Sequence, residues 1–174
     1  PTKEDMMRVK RCVRYMLGTR HYVLLFPYQK EQKELTVHCD SDWAGCKATR
    51  KSTSSGVMFH GAHQLESWSI SQQVIALSSG ESEYYALGKG VAHLLFLLYI
   101  LAELKHFLKG RALSDSSAAR GMSQRLGSGE VRHIQTRSLW VQERLREKRF
   151  ELGTVPTLEK GGDIGTKNQD AASL

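Results

Sequence analysis

The sequence predicts an α/β domain, a mixed β-sheet with helices on its faces, and three observations carry that prediction. Three short stretches of alternating apolar and polar residues follow one another between about residues 34 and 70, joined by short turns. A long helix with an apolar stripe starts near Ser78. Beyond it, strand-like and helix-like stretches alternate, so that the main domain reads β-β-β-α-β-α-α-β-α, the order of a sheet that helices cover.

Ahead of the sheet, Glu4 to Leu17 reads as an amphipathic helix. Met6, Met7, Val9, Cys12, Val13, Met16 and Leu17 recur near a 3.6-residue period, and Gly18 stops the pattern. HYVLLF, from His21 to Phe26, reads as a short strand ended by Pro27, and YQKEQKE as a polar linker. A boundary near residue 30 divides the chain into residues 1–30 and a main domain over residues 31–174.

ELTVHCD is the first core strand, with Leu35, Val37 and Cys39 on one face and Thr36, His38 and Asp40 on the other. Asp40 ends it, and Asp42 lies beyond, in the basic connection SDWAGCKATRKS. TSSGVMFHG and HQLESWSI are the next two strands, with a tight turn at Gly61 and Ala62, and such short links imply an antiparallel meander. Ser78 and Glu81 match the S-x-x-E capping box of a helix that runs to about Lys109, with a bend at Gly88 or Gly90. RALSD is a strand ending at Asp115, SSAARGMSQRL a short helix, and His133 to Lys148 a further helix. RFELGTVP is the last strand, and the tail from Lys160 holds one more short helix.

A formal charge of +7 favours a polyanionic partner such as nucleic acid. Cys12, Cys39 and Cys46 form no C-x-x-C pair, which suits a reduced, intracellular protein. LLFLLYILA is far shorter than the ~20 residues that span a bilayer, so no membrane partner is expected. No signal-peptide pattern is visible, and the opening Pro1 points to a segment excised from something longer.

Asp40, Glu83, Asp115 and Asp163 fall at strand ends or in flanking helices, and the ends of adjacent strands in an α/β sheet share one crevice. Carboxylates gathered there need cations, and an all-oxygen set suits Mg²⁺. Two such ions can hold an attacking water and a leaving oxygen in line across a phosphodiester. Asp at a strand end is also ordinary turn chemistry, and spacing alone leaves both readings open.

The blocks CDSDWAG, RKSTSSGVMF, SWSISQQVIALSSGESEYYAL, LSDSSAA, RHIQTR and GGDIGTK occur in this order. Together they resemble the ribonuclease H domain of copia-type retrotransposon polyproteins, and RVKRCVRYMLGTRHYVLLF resembles the end of the preceding reverse transcriptase. The resemblance implies a ribonuclease H-like fold, a five-stranded mixed sheet of three antiparallel and then two parallel strands. It implies hydrolysis of the RNA strand of RNA–DNA hybrids by four carboxylates and two Mg²⁺ ions, with Mn²⁺ as a substitute. By position the carboxylates are Asp40, Glu83, Asp115 and Asp163, with Asp42 as a turn residue and Glu81 as the capping partner. The reverse transcriptase part of the same polyprotein is the implied partner, and an intracellular replication particle or the nucleus the implied location.

Some residues depart from the family pattern: Gly80, Ser114, Ser116, Gln135, Gly162 and Gly165. The glycines beside Asp163 weaken a helix by up to about 1 kcal/mol each. They support the rival reading of an inactive nucleic-acid-binding or structural remnant. A third reading keeps the two-metal chemistry but acts on DNA alone, as integrases do. Arg50, Lys51, Ser52 and Thr53 form a basic, hydroxyl-bearing stretch that suits phosphates and sugar oxygens, or is a solvated loop. Arg132, Arg137 and Lys167 are further phosphate candidates, and His133 a candidate for assisting proton transfer or for starting its helix. His60 and His63 lack a partner at zinc-ligand spacing and fit a hairpin turn.

Overall fold

The computed structural model describes residues 2–127, 139–155 and 166. Helix α1 spans Lys3–Thr19. The Thr2 hydroxyl accepts from the Asp5 N–H at 3.2 Å, and the Asp5 carboxylate accepts from the Thr2 N–H at 2.8 Å, which closes a capping box. None of its residues is buried. Residues 21–26 form no strand, which corrects the expectation drawn from HYVLLF. A run of β-formers becomes a strand only where another backbone pairs with it. Here Tyr22, Val23 and Leu25 remain 79%, 75% and 74% exposed.

The sheet comprises β1 (Glu34–Asp42), β2 (Thr53–His60), β3 (His63–Ser71), β4 (Lys109–Leu113) and β5 (Glu151–Gly153), in the order β3-β2-β1-β4-β5. β1–β2 and β2–β3 are antiparallel, whereas β1–β4 and β4–β5 are parallel. This is the five-stranded mixed sheet expected from the sequence. β1 continues to Asp42, two residues past its expected end, and β4 closes at Leu113, two residues short of Asp115.

The polar linker is fastened to the β2–β3 turn. Gln29 donates to the His60 carbonyl and accepts from the Ala62 N–H, both at 2.8 Å. The ring of His63 donates to the Pro27 carbonyl at 2.7 Å, and that of His60 to the Gln32 carbonyl at 3.1 Å. The two histidines thus serve this attachment.

Helix α2 (Ser79–Glu103) covers the sheet face that carries Leu35, Val37 and Cys39. Leu87, Val91, Leu94 and Leu95 pack there with Met58, Ala112, Val141 and Phe150 in one buried core. By length and composition α2 could cross a membrane, but this stripe is committed to the sheet. Gly90 allows the approach: a Cβ on it would lie 2.1 Å from Cys39 Sγ. The helix ends at Glu103 rather than Lys109, because Lys105 turns left-handed (φ 64°) and the His106 N–H returns to the Leu101 carbonyl at 2.8 Å.

Helix α3 (Ser117–Gln124) is capped by Ser116, whose hydroxyl accepts from the Ala119 N–H at 3.1 Å. Helix α4 (Trp140–Arg146) is held to the end of α3 by Gln142, which donates to the carbonyls of Met122 and Gly127 at 2.8 and 2.9 Å. The earlier part of the helix expected from His133, and the helix expected in the tail, lie outside the described residues.

Candidate metal centre

β1 and β4 run parallel, with His38 paired to Leu113. Two residues beyond that pair, Asp40 continues along β1 while Asp115 follows the end of β4, so both emerge at the same end of the sheet. Glu83 belongs to the α2 stripe that continues through Leu87, Gly90 and Leu94, and this places it over the same end. One oxygen from each of Asp40, Glu83 and Asp115 lies within 4.8 Å of the other two. Asp40 is buried, Glu83 half-buried and Asp115 exposed.

Burial, and then the charges of Asp40 and Asp115, push the Glu83 carboxyl up to about 7, against hydrogen bonds from the Ser41 hydroxyl and N–H. Glu83 Oε2 is buried and has no hydrogen-bond partner among the described residues. An orphaned acceptor among converging carboxylates is the arrangement that a hard divalent cation neutralises, so the residues fit a bound metal. Burial, and then the charges of Glu83 and Asp40, push the Cys39 thiol well up, which leaves it a core side chain.

Glu81 points elsewhere and is itself buried, at 1% exposure. Ser78 Oγ accepts from the Glu81 N–H at 3.2 Å, half of the expected capping box. The Glu81 carboxylate reaches back one residue further than expected, accepting from the Leu77 N–H and from the Tyr85 hydroxyl, each at 2.8 Å. Asp42 turns into its own connection: its carboxylate accepts from the Thr53 N–H, and a Cβ on Gly45 would overlap it at 1.8 Å.

The Thr166 hydroxyl donates to Asp40 Oδ2. Asp163, Arg132, His133, Arg137 and Lys167 lie outside the described residues. Arg50 is exposed and Lys51 half-buried, but Ser52 is fully buried, its hydroxyl accepting from the Ala44 N–H at 3.0 Å. Thr53 is the first residue of β2 and pairs with Asp42. The stretch therefore divides, with its cations outward and Ser52 inward. Trp43, 51% exposed, donates to the Ala76 carbonyl at 3.0 Å beside the cluster's strand.

Sequence reasoning missed Ser41, Gln72, Ser82 and Thr166. Ser82 carries a faint signal, a small polar residue between two glutamates at the start of an apolar helix. Gln72 carries none, because its role depends on what two other segments bring to it, the start of β2 and the first turn of α2.

No family model matches the chain. It is 31% identical over 170 residues to the retrovirus-related Pol polyprotein from transposon TNT 1-94 of Nicotiana tabacum, covering 96% of this chain and 13% of that one. An uncharacterized mitochondrial protein of Arabidopsis thaliana is 39% identical over 95 residues, covering 54% of this chain and 39% of that protein. The chain thus spans well under two thirds of either relative's length. Among solved structures, the fold is similar to a ribonuclease H1 isolated from compost, with a TM-score of 0.53 and 11% identity over 76% of this chain and 92% of that one. It is also similar to a foamy viral protease-reverse transcriptase solved with an RNA/DNA hybrid, with a TM-score of 0.52 and 13% identity over 98% of this chain and 21% of that one.

Proposed function

We propose that the chain is the ribonuclease H domain of a copia-type retrotransposon Pol polyprotein, a reading that its 31% identity to the transposon TNT 1-94 polyprotein and its fold support, and that it hydrolyses the RNA strand of RNA–DNA hybrids. The observation that carries this reading is the convergence of Asp40, Glu83 and Asp115 within 4.8 Å at one end of the sheet.

Asp40, Glu83 and Asp115, joined by Asp163, would hold two Mg²⁺ ions, for which Mn²⁺ can substitute. Bound there, the ions supply activation of the attacking water and stabilisation of the leaving 3′ oxygen. The protein's part is placement. β1 and β4 deliver Asp40 and Asp115 side by side, α2 delivers Glu83 over them, and the Ser41 hydroxyl and N–H orient the Glu83 carboxylate. Arg50 and Lys51, with Arg132 and Lys167, would meet phosphates of the hybrid, which makes binding fall steeply with salt. Products carry 5′-phosphate and 3′-hydroxyl ends. Within the polyprotein, a reverse transcriptase part would supply the hybrid, in an intracellular replication particle or the nucleus.

Incubation with end-labelled hybrid and Mg²⁺ tests the reading. Cleavage of the RNA strand that is lost in Asp115→Asn, with a DNA duplex left uncut, is the expected result. Hybrid binding without cleavage under Mg²⁺ or Mn²⁺ would establish the inactive remnant instead, and cutting of the DNA duplex would establish the DNA-directed alternative.

A further inference from the structure

Beneath the carboxylates runs a buried polar seam that the proposed chemistry does not use directly. Ser82, fully buried, lies between Glu81 and Glu83. Its hydroxyl donates to the Ser79 carbonyl at 2.8 Å and stands 2.8 Å from the Ser41 hydroxyl. Ser41 in turn is hydrogen-bonded to Glu83 through both its hydroxyl and its backbone N–H. The Ser82 carbonyl accepts from Gln72 Nε2 at 2.8 Å, and the same nitrogen donates to Ser54 Oγ of β2 at 2.9 Å. The Gln72 N–H donates to the Ser52 carbonyl at 2.8 Å. A carbonyl can only accept, so the Gln72 amide has one orientation.

Two consequences follow from donor and acceptor accounting. Gln72 ties the first turn of α2 to β2, which sets where Glu83 stands along the sheet. The hydroxyls form a chain that ends on Glu83, with one proton on each oxygen. While the Ser82 proton serves the Ser79 carbonyl, the Ser41 proton serves Ser82 and only the Ser41 N–H serves Glu83. When the Ser41 proton serves Glu83, the Ser82 proton leaves the Ser79 carbonyl for Ser41. Removing Ser82 Oγ takes away the group that holds the Ser41 rotamer against the carboxylate. Buried networks of this kind fix one geometry because each member left unpaired is costly, and groups behind metal ligands set ligand orientation.

We infer that Ser82 and Gln72 are positioning residues, acting through Ser41 and the first turn of α2 to aim Glu83 at the site shared with Asp40 and Asp115. The inference rests on the reading of that cluster as a metal site. Its test is Mn²⁺ binding to the full chain, followed by electron paramagnetic resonance, for wild type, Ser82→Ala and Ser41→Ala, with hybrid affinity measured in EDTA. Ser41 is half-buried, so its variant remains informative if Ser82→Ala fails to fold. The expected result is a Kd for Mn²⁺ raised about ten-fold in each folded variant, with hybrid affinity unchanged. Variants that melt earlier but take up Mn²⁺ as the wild type does would show a purely structural role and overturn the inference. A wild type that takes up no Mn²⁺ would overturn the metal-site reading, and the inference with it.

Discussion

Gly90 of α2 and Cys39 of β1 are in such close contact that a single methyl group on the glycine would fall 2.1 Å from the thiol sulfur. Gly90→Ala gains about 1 kcal/mol of helix propensity, but the overlap must push helix and strand apart, at about 1–3 kcal/mol. The variant is expected to be less stable overall by urea unfolding, and Cys39→Ala in the same chain should recover part of the loss. Stabilisation by Gly90→Ala alone would show that the helix stands further from the sheet.

Glu83 makes the metal-free protein sensitive to pH. Its folded-state pKa of about 7 lies above the ordinary 4.5, so the fold favours the protonated form. The stability this contributes is complete below 4.5 and is lost as pH rises through 7. Glutamine mimics the protonated carboxyl. In EDTA, Glu83→Gln is expected to match the wild type near pH 4 and to exceed it at about pH 8 in denaturant unfolding. Equal midpoints at both values would refute the raised pKa.

The two glutamates of α2 should separate in a different assay. Glu83→Gln should abolish hybrid cleavage. Glu81→Gln should cut, yet be less stable by about 1–3 kcal/mol, since an amide cannot accept with both ends from the Leu77 N–H and the Tyr85 hydroxyl. Cleavage rates paired with thermal melts distinguish these outcomes. Loss of cleavage in both variants would mean that the faces of α2 have been misassigned.

Gln29→Ala removes its hydrogen bonds to the His60 carbonyl, the Ala62 N–H and the His63 ring. Limited proteolysis should then cut faster between residues 20 and 32, while Mn²⁺ uptake stays as in the wild type. An unchanged cutting rate would mean that the histidine contacts alone hold the segment.

Much of this fold was legible because its signals are local. Alternation at Leu35, Val37 and Cys39 marked the central strand, and Ser78 marked the start of α2. The stripe through Glu83, Leu87, Gly90 and Leu94 told the two glutamates apart. HYVLLF misled because β-propensity describes one side of a pairing, and no strand among the described residues takes the other side. The end of α2 was missed because Leu104, Phe107 and Leu108 extend its apolar composition past the residue, Lys105, whose left-handed turn stops it. The buried role of Ser52 and the bridging role of Gln72 depend on partners that fold in from other segments, which no short window contains.

The attachment at Gln29 also sorts the domain mechanically. It grips the chain where His60 pairs with Leu35, at one end of β1, whereas Asp40 lies ~17 Å along the same strand at 3.3 Å per residue. Tension on the chain ahead of the domain would be taken up at the hairpin turn, across bonds made by Gln29, His60 and His63. The strand between acts as a rigid spacer, and the carboxylates keep their spacing while the upstream chain is pulled or reoriented.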